Sequence, residues 1–243
     1  MKIVTIIQAR MGSSRLRGKV MADLGGDTVL ERVVHRVRRS QFAAEVVIAT
    51  TTNAIDDIIV EECSRLSVAC FRGAEFDVLD RYYRAACAYR ADAVVRICSD
   101  CPMIEPEVTD TVVRSFLEQG AEYASNTVIK TYPRGLDTEV MTMDALDRTW
   151  RGAKQLYQRS HVTPYIYENP ADFEIAYVTG STDYSRYRWT LDTPEDLAFM
   201  RAVYARFQND DRLYWRDAIA LLECEPGLVE LNSHVTTKAL QEG

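Results

Sequence analysis

The sequence lacks a long uncharged apolar run and any excess of positive charge. None of its apolar stretches approaches the roughly 18 residues that a membrane-spanning helix needs, and the apolar run within Met1–Arg10 is too short for a signal peptide. The 243 residues include 29 Lys and Arg against 36 Asp and Glu, a formal net charge of −7, which excludes a general nucleic-acid binder. We therefore expect a cytoplasmic protein that binds neither membranes nor nucleic acid.

Glycine, proline and cysteine are also sparse. Eleven Gly and seven Pro place the chain outside the disordered and fibrous classes. Six cysteines in a chain without a secretion signal are typical of reduced thiols. Cys98 and Cys101 have the C-x-x-C spacing of a redox pair or half a zinc site, but no second Cys or His pair stands at zinc-ligand spacing. We expect one α/β domain over residues 1–243.

The first 120 residues alternate between two apolar patterns. Short β-branched runs predict strands, and apolar stripes with helical spacing predict helices. The predicted strands are Lys2–Gln8, Glu45–Thr51, Val68–Phe71 and Ala93–Cys98, and the predicted helices are Thr28–Arg39, Ala54–Leu66, Val78–Tyr89 and Glu107–Leu117. This alternation predicts βαβ units, and hence a mostly parallel sheet with helices on both faces and the ligand at the carboxyl ends of the strands.

The rhythm is less regular after Gly120. An aromatic, turn-bearing stretch is followed by a helix near Ser160–Glu168 and a strand at Phe173–Val178, so we interpret residues 123–178 as an insertion. Asp192 then precedes a helix that opens with Thr193 as N-cap and Pro194 in the first turn.

The loop after the first predicted strand concentrates positive charge. Within twelve residues it carries two glycines, two serines and four cations, Arg10, Arg15, Arg17 and Lys19. Cations, hydroxyl donors and close backbone approach at a strand end are what a polyphosphate requires. The loop matches neither the P-loop, which fails at Val20, nor the dinucleotide fingerprint. A solvated basic loop is the alternative interpretation.

Two aspartates stand where a metal would meet phosphate oxygens. Asp100 follows the strand Ala93–Cys98, and Asp192 follows the short apolar stretch Trp189–Leu191. If both strand ends meet, the two carboxylates could share Mg²⁺. Asp192 could instead favour the dipole of the helix that follows it, without touching a metal.

Six segments, in order along residues 1–200, resemble the cytidylyltransferase superfamily. They are Ile6–Val20, Phe71–Gly73 with Asp77–Tyr82, Arg96–Ile104, Pro133–Val140, Ser160–Tyr167 and Leu191–Leu197. The branch that they resemble most is the spore-coat polysaccharide biosynthesis F family, which is related to the synthetases that activate 3-deoxy-manno-octulosonate and sialic acid with CTP. The resemblance implies a Rossmann-like sheet of the nucleotide-diphospho-sugar transferase type, a nucleotidyltransferase that uses Mg²⁺, and a homodimer with the insertion as its arm.

The resemblance also implies roles for particular residues. The phosphate loop carries over to Arg10, Gly12, Ser13, Arg15 and Lys19, with Arg15, Lys19 and Asp100 catalytic and Asp100 and Asp192 as metal ligands. We further expect nucleotide contacts from Gln8, Ala9 and Arg96, and contacts to the base from Thr50 and Arg72, which lie at the ends of the second and third predicted strands. Acceptor contacts are assigned to Arg134, Asp137, Glu139 and His161, although Glu139 could be a solvated strand residue and His161 a packing or surface residue.

The expected reaction is attack by an anionic oxygen of a sugar acid or sugar phosphate on the α-phosphorus of CTP, which releases pyrophosphate. A glycosyltransferase is one alternative, but its D-x-D signature is absent beside Asp100. A non-catalytic nucleotide-binding subunit is another, because Ser99 stands where the family commonly has glycine. The family also commonly has Pro at position 17 and Glu at position 160. The sequence does not identify the acceptor.

Overall fold

The computed structural model describes residues 1–236. Its strands are β1 (Ile3–Gln8), β2 (Asp23–Leu24), β3 (Asp27–Thr28), β4 (Val46–Thr51), β5 (Ala69–Gly73), β6 (Ala93–Cys98), β7 (Tyr123–Ser125), β8 (Glu139–Thr142) and β9 (Ile175–Tyr177). Its helices are α1 (Val29–Val37), α2 (Asp57–Arg65), α3 (Val78–Ala88), α4 (Pro106–Gln119), α5 (Met143–Gly152), α6 (Leu156–His161), α7 (Pro164–Glu168), α8 (Pro194–Arg206), α9 (Trp215–Cys224) and α10 (Gly227–Glu230).

Seven of the strands form one mostly parallel sheet in the order β5-β4-β1-β6-β8-β7-β9. The pairs β1–β4, β1–β6, β4–β5 and β7–β9 are parallel, and β8 runs antiparallel between β6 and β7. The sheet confirms the α/β fold predicted from the alternating patterns. Within residues 1–236, no helix combines the length and the apolar character needed to cross a membrane.

Helices cover both faces of the sheet because the central strands are apolar on both sides. Neighbouring residues of β1 separate between the faces, Ile6 packing in one core and Ile7 in the other. A third cluster packs α8 and α9 against the segment around Trp189. This third cluster positions the chain that leads into Asp192.

The structure corrects the prediction for residues 123–178 in two places. The helix α5 was not predicted, although Thr142 caps it by accepting a 3.0 Å hydrogen bond from the Ala145 N–H. The single helix predicted near Ser160–Glu168 is two short helices, α6 and α7, because Val162 has a φ of +75° and breaks the helical path. The same segment contributes β7, β8 and β9 to the central sheet.

Candidate active site

The loop after β1 folds back on itself and returns Lys19 to the edge of the sheet. The N–H groups of Ser13 and Gly18 both donate to the carbonyl of Met11, at 2.9 and 3.0 Å. Gly18 has a φ of +70°, a left-handed conformation that favours glycine, and it opens a short 3₁₀ turn. Asp56, only 1% exposed, accepts a 2.7 Å hydrogen bond from the Met11 N–H. The sequence interpretation missed Asp56, although it follows the end of β4 much as Asp100 follows β6.

Lys19 lies between two carboxylates that are far apart in the sequence. Its Nζ is 2.8 Å from Asp100 Oδ2 and 2.8 Å from Asp192 Oδ1, and its side chain is 10% exposed. Burial opposes the charged form of Lys19, but the charges and hydrogen bonds of the two aspartates outweigh burial and raise the pKa of Lys19 above its ordinary value. The structure thus brings together the two aspartates that the sequence predicts to converge.

Backbone hydrogen bonds set the positions of both aspartates. The carbonyl of Asp100 accepts from the Leu191 N–H at 2.8 Å, and the carbonyl of Arg134 accepts from the Trp189 N–H at 2.6 Å. Trp189 and Leu191 are fully buried. The segment before Asp192 is therefore fixed beside the end of β6, and Asp192 emerges from it next to Asp100.

Asp192 faces three cations. Besides Lys19, the Nη2 atom of Arg15 is 3.0 Å from Asp192 Oδ1, and the Nη2 atom of Arg188 is 3.0 Å from Oδ2. Burial favours the protonated carboxyl, but Lys19, Arg15 and Arg188 outweigh it and lower the pKa of Asp192. Asp192 is therefore held ionised, with its carboxylate turned toward the cationic loop.

Thr193 is the N-cap of α8, as the sequence predicts, and Asp192 lies directly before it. The Thr193 hydroxyl accepts from the Asp196 N–H at 3.3 Å, and the Asp196 carboxylate accepts from the Thr193 N–H at 3.0 Å. Asp196 is fully buried and also lies 2.8 Å from the Nε of Arg188. Arg188 thus links the start of α8 to Asp192. No motif in the sequence indicated Arg188, because its role depends on contacts with Asp192 and Asp196 that form only in the folded chain.

The donor set at this point suits a hard divalent cation. Two carboxylates, one after the end of β6 and one just before α8, already share one cation, the ammonium of Lys19, which lies 2.8 Å from each. Carboxylate oxygens are the ligands that Mg²⁺ prefers, completed by phosphate oxygens and water. Lysine has a flexible stem, so its ammonium can leave this position for a phosphate group.

The loop after β1 lies against Glu75, which the sequence interpretation also missed. Arg10 Nη1 is 3.9 Å from Glu75 Oε1, and a Cβ added to Gly12 would lie 3.3 Å from the same oxygen. The Asn53 side chain donates to Glu75 Oε2 at 2.5 Å. Glycine at position 12 therefore permits the close approach of the Glu75 carboxylate to the loop.

The two residues expected to read the base differ in their surroundings. Thr50 is fully buried, and its hydroxyl has no hydrogen-bond partner among residues 1–236. The guanidinium of Arg72 donates to the carbonyls of Thr51 and Asn53 at 2.8 and 2.9 Å and lies 2.7 Å from Asp57. In the structure, Arg72 therefore holds the loop after β4 in place through these hydrogen bonds and this ion pair.

Arg96 and Glu139 are partners across β6 and β8. Glu139 is 2% exposed, forms an ion pair with Arg96, and accepts hydrogen bonds from the Tyr123 and Thr163 hydroxyls. Arg96 also donates to Gln8 Oε1 at 3.2 Å. Glu139 is therefore not the solvated strand residue of the alternative interpretation. From its position on β8, the Glu139 carboxylate contacts side chains of β6, β7 and the residue that precedes α7.

The other acceptor candidates lie on separate segments of the chain. Arg134 is the backbone partner of Arg188, close to Asp192. Burial raises the pKa of Asp137, and the nearby charge of Arg134 opposes the rise. His161 ends α6, two residues before the Thr163 that contacts Glu139.

The C-x-x-C thiols stay protonated in this environment. All six cysteines are free. Burial raises the pKa of Cys98 to about 12 and that of Cys101 well above its ordinary range. A buried, protonated thiol is a poor nucleophile and a poor metal ligand.

Ser99 does not strain the backbone. It is 5% exposed, its N–H donates to the Gln8 carbonyl at 3.1 Å, and its φ is not positive. The serine Cβ therefore fits where the family commonly has glycine.

The chain matches a family and several proteins along most of its length. The sequence model of the family described as Cytidylyltransferase matches residues 4–217. The spore coat polysaccharide biosynthesis protein SpsF of Bacillus subtilis is 34% identical over 231 residues, which covers 92% of this chain and 95% of that protein. A cytidylyltransferase structure from Leptospira borgpetersenii superposes with a TM-score of 0.91 at 34% identity, covering 98% of this chain and 100% of that one.

A more distant structure shares the fold. The CMP:2-keto-3-deoxy-manno-octonic acid synthetase solved in complex with CTP superposes with a TM-score of 0.66 at 18% identity, covering 85% of this chain and 100% of that one. The family match and the relatives above 30% identity cover far more than half of the chain. The chain therefore belongs to the cytidylyltransferase family of nucleotidyltransferases.

Proposed function

We propose that the protein transfers CMP from CTP to an anionic oxygen of a sugar acid or sugar phosphate, for the synthesis of a surface polysaccharide or glycoconjugate. The observation that carries the proposal is the cluster at the ends of β1 and β6. There Lys19 bridges Asp100 and Asp192, and Arg15 lies against Asp192. Preorganised cations beside a glycine-bearing turn suit a triphosphate.

The reaction needs positioning and charge neutralisation more than covalent help. The acceptor oxygen forms a bond to the α-phosphorus while the bond from that phosphorus to the leaving pyrophosphate oxygen breaks. Arg15 and Lys19 would hold the β- and γ-phosphates, and the loop backbone at Gly12 and Ser13 the α-phosphate. Mg²⁺ held by Asp100 and Asp192 would neutralise charge on the phosphate oxygens.

The remaining assignments rest on the same site. We propose that the nucleotide contacts Gln8, Ala9, Arg10, Thr50, Arg72 and Arg96. We propose that the acceptor contacts Arg134, Asp137, Glu139 and His161. The names of the similar proteins, spore coat polysaccharide biosynthesis protein and octonic acid synthetase, support a sugar acceptor.

We also propose a cytoplasmic homodimer, built from one domain whose residues 123–178 supply the interface. Three large apolar side chains of this segment, Ile129, Leu156 and Tyr177, are exposed, which suits a two-fold contact. Light scattering should give twice the chain mass of 27.6 kDa at micromolar concentration. A monomer under those conditions would contradict the dimer.

The deciding experiment measures pyrophosphate release with each of the four nucleoside triphosphates, Mg²⁺ and a panel of sugar acids and sugar phosphates. The proposal expects release with CTP and at least one anionic sugar, and a CMP-linked product in the mass spectrum. No release with any pair, together with intact CTP binding, would favour a non-catalytic subunit instead.

A further inference from the structure

Asp56 is a buried carboxylate whose two oxygens both accept hydrogen bonds. It ends a short 3₁₀ turn, Ala54–Asp56, that follows β4, and it is 1% exposed. Its Oδ1 accepts from the Met11 N–H at 2.7 Å, and its Oδ2 accepts from the Thr51 hydroxyl. A hydrogen bond to a carboxylate is roughly twice as strong as one between neutral groups. The contact with Met11 therefore fastens the loop after β1 to the end of β4.

Met11 is the residue through which this loop closes on itself. The Met11 carbonyl accepts from the N–H groups of Ser13 and Gly18, at 2.9 and 3.0 Å. These two hydrogen bonds lie within the loop, whereas the Met11 N–H donates outside it, to Asp56. Asp56 thus holds the residue whose carbonyl joins both arms of the loop.

The closed loop sets the positions of the two cations that are proposed to hold the β- and γ-phosphates. Arg15 lies within the closed segment, and its Nη2 is 3.0 Å from Asp192. Lys19 directly follows the segment, and its Nζ is 2.8 Å from both Asp100 and Asp192. Groups that are already ordered lose less conformational entropy on binding than mobile ones. A fixed loop therefore favours the binding of a triphosphate.

We propose that Asp56 is a positioning residue for the triphosphate of CTP, because it holds Met11 and thereby the loop that carries Arg15 and Lys19. In this role Asp56 acts through Met11 and not by contact with the nucleotide. The proposal rests on the proposed function and extends it to a residue outside the loop. CTP affinity then depends on an acceptor for the Met11 N–H at position 56, rather than on a charge there.

Asp110, on α4, offers a matched control in another part of the fold. Its carboxylate is 5% exposed and also accepts from one hydroxyl and one backbone N–H, those of Ser40 at 2.5 Å and Gln41 at 3.1 Å. Asp56→Ala and Asp110→Ala therefore each remove a buried carboxylate with the same kinds of partner. Asp56→Asn is the conservative variant, because its amide oxygen can still accept from the Met11 N–H. Asp56→Leu, which keeps a similar size and lacks an acceptor, replaces Asp56→Ala if that variant does not fold.

The first measurement is amide hydrogen exchange in the protein without nucleotide, followed by mass spectrometry of a peptide that spans residues 10–18. The proposal expects this peptide to exchange at least about tenfold faster in Asp56→Ala than in wild type, because the loop opens more often without its anchor. Asp110→Ala should exchange there as wild type does. Equal exchange of the peptide in Asp56→Ala and wild type would overturn the proposal.

The second measurement is titration calorimetry with CTP and Mg²⁺, without an acceptor, at a temperature where every variant is folded. CTP affinity should fall by at least about tenfold in Asp56→Ala and stay within about threefold of wild type in Asp110→Ala and Asp56→Asn. Unchanged affinity in Asp56→Ala, an equal loss in Asp110→Ala, or no recovery in Asp56→Asn would each overturn the proposal. A wild type that binds no CTP would contradict the proposed function, and the exchange measurement would still decide whether Asp56 fixes the loop.

Discussion

Replacing Lys19 with methionine removes the cation shared by Asp100 and Asp192 while keeping the length of the buried stem. Two hydrogen bonds of 2.8 Å to charged groups are lost, each contributing about 1.5–3 kcal/mol. Asp192 keeps Arg15 and Arg188, and the side chain of Asp100 is 28% exposed and regains water. We therefore expect the free energy of unfolding to fall by about 2–3 kcal/mol at pH 7, measured by urea denaturation.

The pH dependence of this loss follows from two pKa shifts. The pKa of Asp192 is lowered in the folded state, so its contribution is present above its ordinary value of 3.8 and is lost as pH falls through the folded pKa. The pKa of Lys19 is raised above 10.5, so its contribution is present below that value and is lost as pH rises through the folded pKa. The difference between wild type and Lys19→Met should be constant from about pH 5 to 10 and shrink below about pH 4.

Mg²⁺ provides the second half of this test. In Lys19→Met the two carboxylates lack their shared ammonium, so Mg²⁺ alone should restore about 1 kcal/mol, a rise in Tm of about 2–4 °C. Wild type should respond less, and so should the control Lys154→Met, at an exposed lysine whose Nζ contacts a backbone carbonyl. The reasoning is refuted if Lys19→Met is as stable as wild type at pH 7, or if Mg²⁺ shifts the Tm of both proteins equally.

Three further predictions concern the loop and the sheet. Arg15→Ala should weaken triphosphate binding or turnover by about 1.5–3 kcal/mol, and unchanged CTP affinity and turnover would remove this arginine from the site. Glu139→Gln should lower the free energy of unfolding by about 3–5 kcal/mol, because a buried ion pair loses one charge; urea denaturation unchanged from wild type would contradict its buried role. Gly135→Ala should cost more than about 4 kcal/mol, since its φ is +112° and its Cβ would lie 2.3 Å from the Trp189 carbonyl oxygen. Gly120→Ala, at a φ of +61° with nothing within 4 Å of the Cβ, should cost only about 1 kcal/mol, and equal losses in the two glycine variants would rule out the contact with Trp189.

The parts of the fold that the sequence predicts are those with long, regular patterns. The first four predicted strands match β1, β4, β5 and β6 because each is a run of apolar residues bounded by turns. The strand predicted at Phe173–Val178 contains β9. β7 and β8, with three and four residues, were not predicted because they are too short for a periodicity of two to stand out. The break at Val162 depends on a left-handed backbone in a residue that rarely adopts one.

The residues of the candidate site also fall into two groups, those that the local sequence predicts and those that only the fold reveals. The loop cations follow β1 and Asp100 follows β6, positions that local sequence reveals. The prediction that Asp192 also follows a strand is wrong, because Trp189–Leu191 form no strand among the described residues, and Arg188 makes only an isolated bridge to Arg134. Arg188 and Asp56 act only through residues that the fold brings to them, Asp192 and Met11. Glu139 carries a charge in a strand, and only the packing of Tyr123 and Thr163 around it shows that it is buried. A residue whose role is to contact another part of the folded chain has no characteristic pattern in the local sequence.

The most direct test of the central claim is the rate of pyrophosphate release from CTP by wild type and Asp100→Asn, with Mg²⁺ and a productive acceptor. The substitution keeps the size of the side chain and leaves the backbone hydrogen bond between the Asp100 carbonyl and Leu191 in place. It removes the charge that a hard cation demands. The account predicts at least a ~100-fold loss of turnover with thermal stability retained, and wild-type activity abolished by excess chelator. An Asp100→Asn protein that turns over CTP at the wild-type rate, or a wild-type protein fully active in excess chelator, would contradict it.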